Sequence, residues 1–139
     1  MKPTKTLIRG LRETAHKLRQ SGVDYRWNSA EACNCGQLAQ TLLDMDGVAL
    51  RVRLSDERCL GSWSINAQRC AQTGLDIRSV IGALRAHGME DDDFARLEFC
   101  HDHDVGHYQS QQAVAAWMDR EADELERRRI AERFEEATP

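Results

Sequence analysis

The run Val48-Ala49-Leu50-Arg51-Val52-Arg53-Leu54 admits two readings, and the architecture turns on which is taken. Val48, Leu50, Val52 and Leu54 alternate strictly with Ala49, Arg51 and Arg53, the period of a half-buried strand. A strand needs a neighbour to satisfy its backbone groups. No second convincing strand occurs anywhere in the chain. The segment is therefore read as helical or irregular, and the fold as all-α with about five helices.

The sequence on either side supports that choice. The only two prolines are Pro3 and Pro139, so the strongest helix breaker is missing from the whole interior. Upstream, Leu7, Leu11, Ala15 and Leu18 form one apolar stripe at helical spacing. They predict a helix from about Thr4 to Gln20, ended by Ser21-Gly22. A second helix, starting near Gly36, carries Leu38, Leu42 and Leu43 and stops at Asp46-Gly47. Downstream of the ambiguous run, Ile77, Val80, Ile81 and Leu84 share a face, with Gly88 just beyond the end. Glu90 to Asp93 then open a short helix holding Phe94, Leu97 and Phe99, because acidic residues favour a helix N-terminus. A long helix follows from about Gln109 to Phe134, with Val114, Trp117, Met118, Ala122 and Leu125 on its buried stripe. Residues 126–139 are mostly charged and are expected to project into water.

Length and composition bound the function. The 139 residues suit a single domain spanning 1–139, and an apolar fraction of 41% supplies one core. The net charge of −4 argues against a general nucleic-acid binder. Charge is unevenly spread: residues 1–40 carry +4 and the remainder −8. Arg9, Arg12, Lys17 and Arg19 make the first helix basic, but no nucleic-acid motif accompanies them. Charges at Lys2, Lys5, Arg9 and Arg12 interrupt any signal-like apolar run. The longest apolar run, Ala113 to Met118, is far too short to span a membrane. The expected location is the cytoplasm, where thiols stay reduced. Glu90-Asp91-Asp92-Asp93 lacks the spaced oxygen ligands and glycine of a calcium loop.

Five cysteines, an odd number, cannot all pair within one chain. Cys33-Asn34-Cys35-Gly36 is the core feature. Two thiolates one residue apart can grip the same soft cation when the backbone turns between them. Gly36 lets the backbone approach a bulky ligand, and a helix start depresses thiol pKa values. A closed zinc or iron–sulfur site needs further ligands. Cys70, before Ala71-Gln72-Thr73-Gly74, is the third candidate, and Cys59, near Leu60-Gly61, the fourth. Trp27 is placed to shield such a site. Against this, Asn28 and Glu31 resemble a capping box that would carry a helix through Cys33 and Cys35. Residues two apart in a helix point to nearly opposite sides, so the thiols would then be merely packed. A strained and easily reduced C-x-C disulfide would make the pair a redox centre.

The string Cys33-Asn34-Cys35-Gly36-Gln37-Leu38-Ala39-Gln40, with Cys70-Ala71-Gln72-Thr73-Gly74 after it, resembles a group of small bacterial proteins. That group carries a C-N-C-G-H-L-A-Q-like segment followed by C-x-x-[ST]-G, and the likeness covers about Tyr25 to Asp102. It implies that Cys33, Cys35 and Cys70 belong together, with Cys59 and Cys100 outside the pattern. Gln37 stands where the group has histidine, so a histidine ligand there is not expected. The likeness implies a site and no particular reaction.

Cys100-His101-Asp102-His103-Asp104 with His107 packs further potential ligands into one loop. In an extended chain His101 and His103 share a face. A solvated polar loop between two helices is the plainer account, because a short histidine-rich stretch is only a compositional hint. The expectations are thus a cytoplasmic metal or iron–sulfur protein using Cys33, Cys35, Cys70 and Cys59, with a structural or regulatory role. A metal-free helical interaction module and a thiol redox protein are the alternatives. The long C-terminal helix is the surface expected to meet a protein partner or to form a homodimer.

Overall fold

Six helices make up the architecture among the residues described by the computed structural model, which are 1–26, 29–56, 76–99 and 110–137. They are α1 (Lys5–Leu18), α2 (Asn34–Leu43), α3 (Gly47–Asp56), α4 (Arg78–Ala86), α5 (Asp91–Phe99) and α6 (Gln111–Ala137). No strand occurs among the described residues, so the all-α reading holds. No helix among them is long and apolar enough to cross a membrane.

The ambiguous run is α3, a helix. Leu50 and Leu54, four residues apart, are fully buried, whereas Val48 and Val52 are 76% and 57% exposed. Four apolar residues spaced by two would share one face of a strand, but a helix divides them into two pairs on different faces. Only the leucines reach the core, and the arginines between them lie toward solvent.

Capping explains where the helices start and stop. Thr4, extended at φ −81° and ψ 148°, accepts a hydrogen bond from the Leu7 backbone N–H at 3.1 Å. The same hydroxyl donates to the His87 carbonyl, tying the start of α1 to the end of α4. At that end Gly88 takes φ +115°. The Gly88 and Met89 N–H groups bond back to Arg85 and Leu84, a Schellman closure that only a left-handed-tolerant residue allows. The Met1 ammonium reaches Asp93 of α5 at 2.7 Å and Glu90 at 3.3 Å.

The core contains every residue of the expected α1 stripe, with Leu38, Leu84, Leu97 and the α6 residues Val114, Trp117, Met118, Ala122 and Leu125. α1 and α6 lie antiparallel. Gln111 meets the Leu18 carbonyl, Arg19 pairs with Asp119, and Arg12 with Asp123. α2 touches α1, α3, α4 and α5, so it is the central helix. That position places the cysteine-bearing start of α2 amid the packing rather than at the rim.

Candidate functional site

The segment Ala32–Leu43 contains no charged residue, although α2 is flanked by polar chain. Its polar side chains are turned inward: Asn34, Gln37 and Gln40 are buried, as is Glu31 just before them. Gln37 and Gln40 hold one turn, Asn34 ties the start of α2 to Tyr25 and α5, and Glu31 pairs with arginines.

That turn covers Ser29 to Cys33. The Ala32 and Cys33 N–H groups both bond to the Ser29 carbonyl, and the Arg26 N–H bonds to Ala32. Cys33 then takes an extended backbone, φ −78° and ψ −174°, and becomes the N-cap of α2, with Asn34 as the first helical residue. A helix continuous through Cys33 and Cys35 is therefore not formed. The helix also starts two residues before the expected Gly36. Asn28 and Trp27, which entered those expectations, lie outside the described residues.

Gly36 is needed, but not to admit a ligand. A Cβ there would sit 2.4 Å from the Ala30 carbonyl oxygen and 2.5 Å from the Glu31 carbonyl carbon. The close neighbour is the chain's own turn, laid directly on α2. Gln37 fastens the turn from below, its Nε2 donating to the Asp24 carbonyl at 2.8 Å and the Ala32 carbonyl at 3.1 Å. Gln40 Nε2 donates to the Glu31 carbonyl and Gln40 Oε1 accepts from Lys17 Nζ at 2.6 Å. Asn34 accepts from the Tyr25 hydroxyl and donates to the Leu97 carbonyl at 2.9 Å, which joins the site to α5.

The electrostatics are tight. The Glu31 carboxylate, largely buried, has Arg26 at 3.2 Å on one oxygen and Arg51 of α3 at 3.8 Å from the other. Glu31 Oε2 and Gln37 Oε1 are buried without a hydrogen bond among the described residues. Burial lowers the pKa of the Lys17 ammonium from its ordinary value, against the opposing pull of Asp46.

The two thiols differ. Cys33 is buried and donates to the Ala30 carbonyl at 3.7 Å, while Cys35 is half-buried against the core. They bracket the first residue of a helix, where the peptide dipoles favour negative sulfur. Among the described residues no three His, Cys, Asp or Glu side chains gather as a metal site. Cys59, Cys70 and Cys100 lie outside the described residues, as do His101, Asp102, His103, Asp104 and His107, and also Trp63. Sequence reasoning missed the roles of Tyr25, Asn34, Gln37 and Gln40. The signal that could have found them was the run of uncharged polar residues in a helix with no Lys, Arg, Asp or Glu.

No protein-family model matches this chain, and no curated protein or solved structure matches it.

Proposed function

We propose that Cys33 and Cys35 form one half of a thiolate site for a soft metal, zinc or an iron–sulfur cluster, in a small cytoplasmic protein. The observation that carries the reading is the backbone break at Cys33. The extended N-cap puts one thiol before the helix and the other inside its first turn, which lets both turn toward one ion at the positive end of the dipole. Buried polar side chains are costly unless each is hydrogen-bonded. Four of them within ten residues, gathered around the start of α2, fit a segment shaped for a site more than one shaped for stability alone.

Two sulfurs do not close a site. Cys70 and Cys59 are the proposed further ligands, and zinc or an iron–sulfur cluster fits an all-thiolate set. Loading would require the Cys33 thiol to lose its proton and its bond to the Ala30 carbonyl. The role would be structural or regulatory.

The test is metal content with an absorption spectrum on untagged protein purified without oxygen. Near-stoichiometric iron with a broad visible band identifies a cluster, and zinc without colour identifies a structural site. A chelator and Cys33→Ser should each lower the melting temperature by about 5 °C or more, since metal binding contributes to folding. Protein without metal, indifferent to chelator, overturns the proposal. A reversible loss of two hydrogens on oxidation of that metal-free protein would reassign the pair to thiol redox chemistry.

A further inference from the structure

Cys33 is the N-cap of α2, yet its side chain makes no capping hydrogen bond. The first N–H groups of a helix have no intrahelical partner, and without a capping side chain the first turn frays more readily. The next residue holds the start of α2 instead. Asn34, the first residue of the helix, is fully buried. Its amide nitrogen donates to the Leu97 carbonyl of α5 at 2.9 Å, and its amide oxygen accepts from the Tyr25 hydroxyl. Tyr25 lies nine residues before it and Leu97 lies 63 residues after it. The amide is thus fixed at both ends by parts of the chain that are remote in sequence.

Asn34 is also the one residue between the two thiols. Cys33 stands on the extended backbone before the helix, and Cys35 lies inside the first turn. The backbone dihedrals of Asn34 set the direction of one sulfur relative to the other. Both of these bonds run through the amide, and neither involves a sulfur atom. They hold the dihedrals while leaving the thiols to other chemistry. Two ligands on a pinned helix start lose less freedom on taking up an ion than two on a fraying turn. Gln37 and Gln40 act on a different part, the carbonyls of Ala32 and Glu31 in the turn before the helix.

We infer that Asn34 is a positioning residue for the Cys33–Cys35 pair. Through Tyr25 and α5 it fixes the geometry in which both thiolates meet one soft metal ion. The inference rests on the thiolate reading above. A residue that orients metal ligands without touching the ion is typically worth about 10- to 100-fold in affinity.

The test uses full-length, reduced protein stripped of metal. Zn²⁺ is titrated against a chromophoric chelator, and Co²⁺ is added separately to read the sulfur-to-cobalt absorption bands. Asn34→Ala removes both bonds and Tyr25→Phe removes one, and neither adds a charge beside the thiols. Asn34→Ala should weaken Zn²⁺ binding about tenfold or more, and Tyr25→Phe by less. Both should shift the Co²⁺ bands. The double variant should bind like Asn34→Ala alone, because the hydroxyl acts through the amide. Val114→Ala, in the buried part of α6, controls for general destabilisation. It should lower the melting temperature and leave Zn²⁺ affinity unchanged. Circular dichroism at the titration temperature selects folded variants, and Tyr25→Phe, which keeps its ring against the core, serves where Asn34→Ala does not fold. Wild type that binds neither ion overturns this inference and the thiolate reading together. Wild type that binds, with folded variants that bind as tightly and show unchanged Co²⁺ bands, overturns this inference alone. So does an equal loss in Val114→Ala, which would reduce the role to stability, or additive losses in the double variant, which would separate Tyr25 from Asn34.

Discussion

At Gly36 a hydrogen atom stands where any other residue would place a carbon inside the contact distance of the Ala30 and Glu31 backbone. The neighbour is main chain held by its own hydrogen bonds, so it cannot swing aside as a flexible side chain would. Gly36→Ala should destabilise the protein by about 3 kcal/mol, the upper range for forced overpacking. Gly82 is the internal control: it lies within α4 with open space around its Cβ position. There Gly→Ala should stabilise by up to about 1 kcal/mol through helix propensity. Urea midpoints of the two variants test the contrast, and equal effects would refute the packing account. Gln37 shows the same economy. Its amide nitrogen satisfies two carbonyls from one side chain, one of them buried, which an apolar residue of the same size could not do.

Among the elements, α3 shows how period is judged by tertiary structure. Alternation at 48, 50, 52 and 54 is compatible with a strand until the burial of each residue is known. Leu50→Ala should cost about 3 kcal/mol, because it opens a cavity in the core. Val52→Ala should change stability by less than about 0.5 kcal/mol, because its side chain faces water. A strand with these residues on one face would make both substitutions costly, so comparable losses in thermal unfolding would overturn the helical assignment. The long α6 divides along its length for the same reason. Its first half is buried against α1 and beneath Arg96, whose guanidinium lies 5.7 Å from the Trp117 ring centre. Its last two turns, residues 130–137, are exposed.

For the whole molecule, the closure between the chain start, α4 and α5 sets the acid response. Burial would raise the pKa of Asp93. Hydrogen bonds from the Met1 ammonium and the Glu90 N–H, the ammonium's charge and Arg96 outweigh that and hold the carboxyl below its usual range. A carboxylate depressed in the folded state contributes stability that is present above its unfolded pKa, about 3.9. That contribution is lost as pH falls through the still lower folded value. The urea midpoint should therefore fall as pH drops below about 4. Asp93→Asn should be less stable by about 2 kcal/mol at neutral pH, since it removes the nearer and more buried of the two carboxylates that face the ammonium. The two curves should converge in acid. Curves that stay parallel down to about pH 2.5 would remove Asp93 from this role.

Helical class, the buried stripes of α1 and α6, and the boundaries around α4 were legible in the residue order. They depend on local rules: a 3.6-residue period, capping hydroxyls and carboxylates, and glycine past a helix end. The candidate site was legible only as a cysteine spacing. Whether Cys33 and Cys35 sit within one helix or astride its start depends on hydrogen bonds accepted by the Ser29 carbonyl and donated by Gln37 and Gln40, which involve partners several residues away. The purpose of Gly36 was misread for the same reason, because the backbone it accommodates could not be known before the turn was folded onto α2. The helical state of α3 was likewise decided by burial, whereas the exposed end of α6 was already legible in its run of charges. Burial belongs to the assembled core, and no local window of sequence contains it.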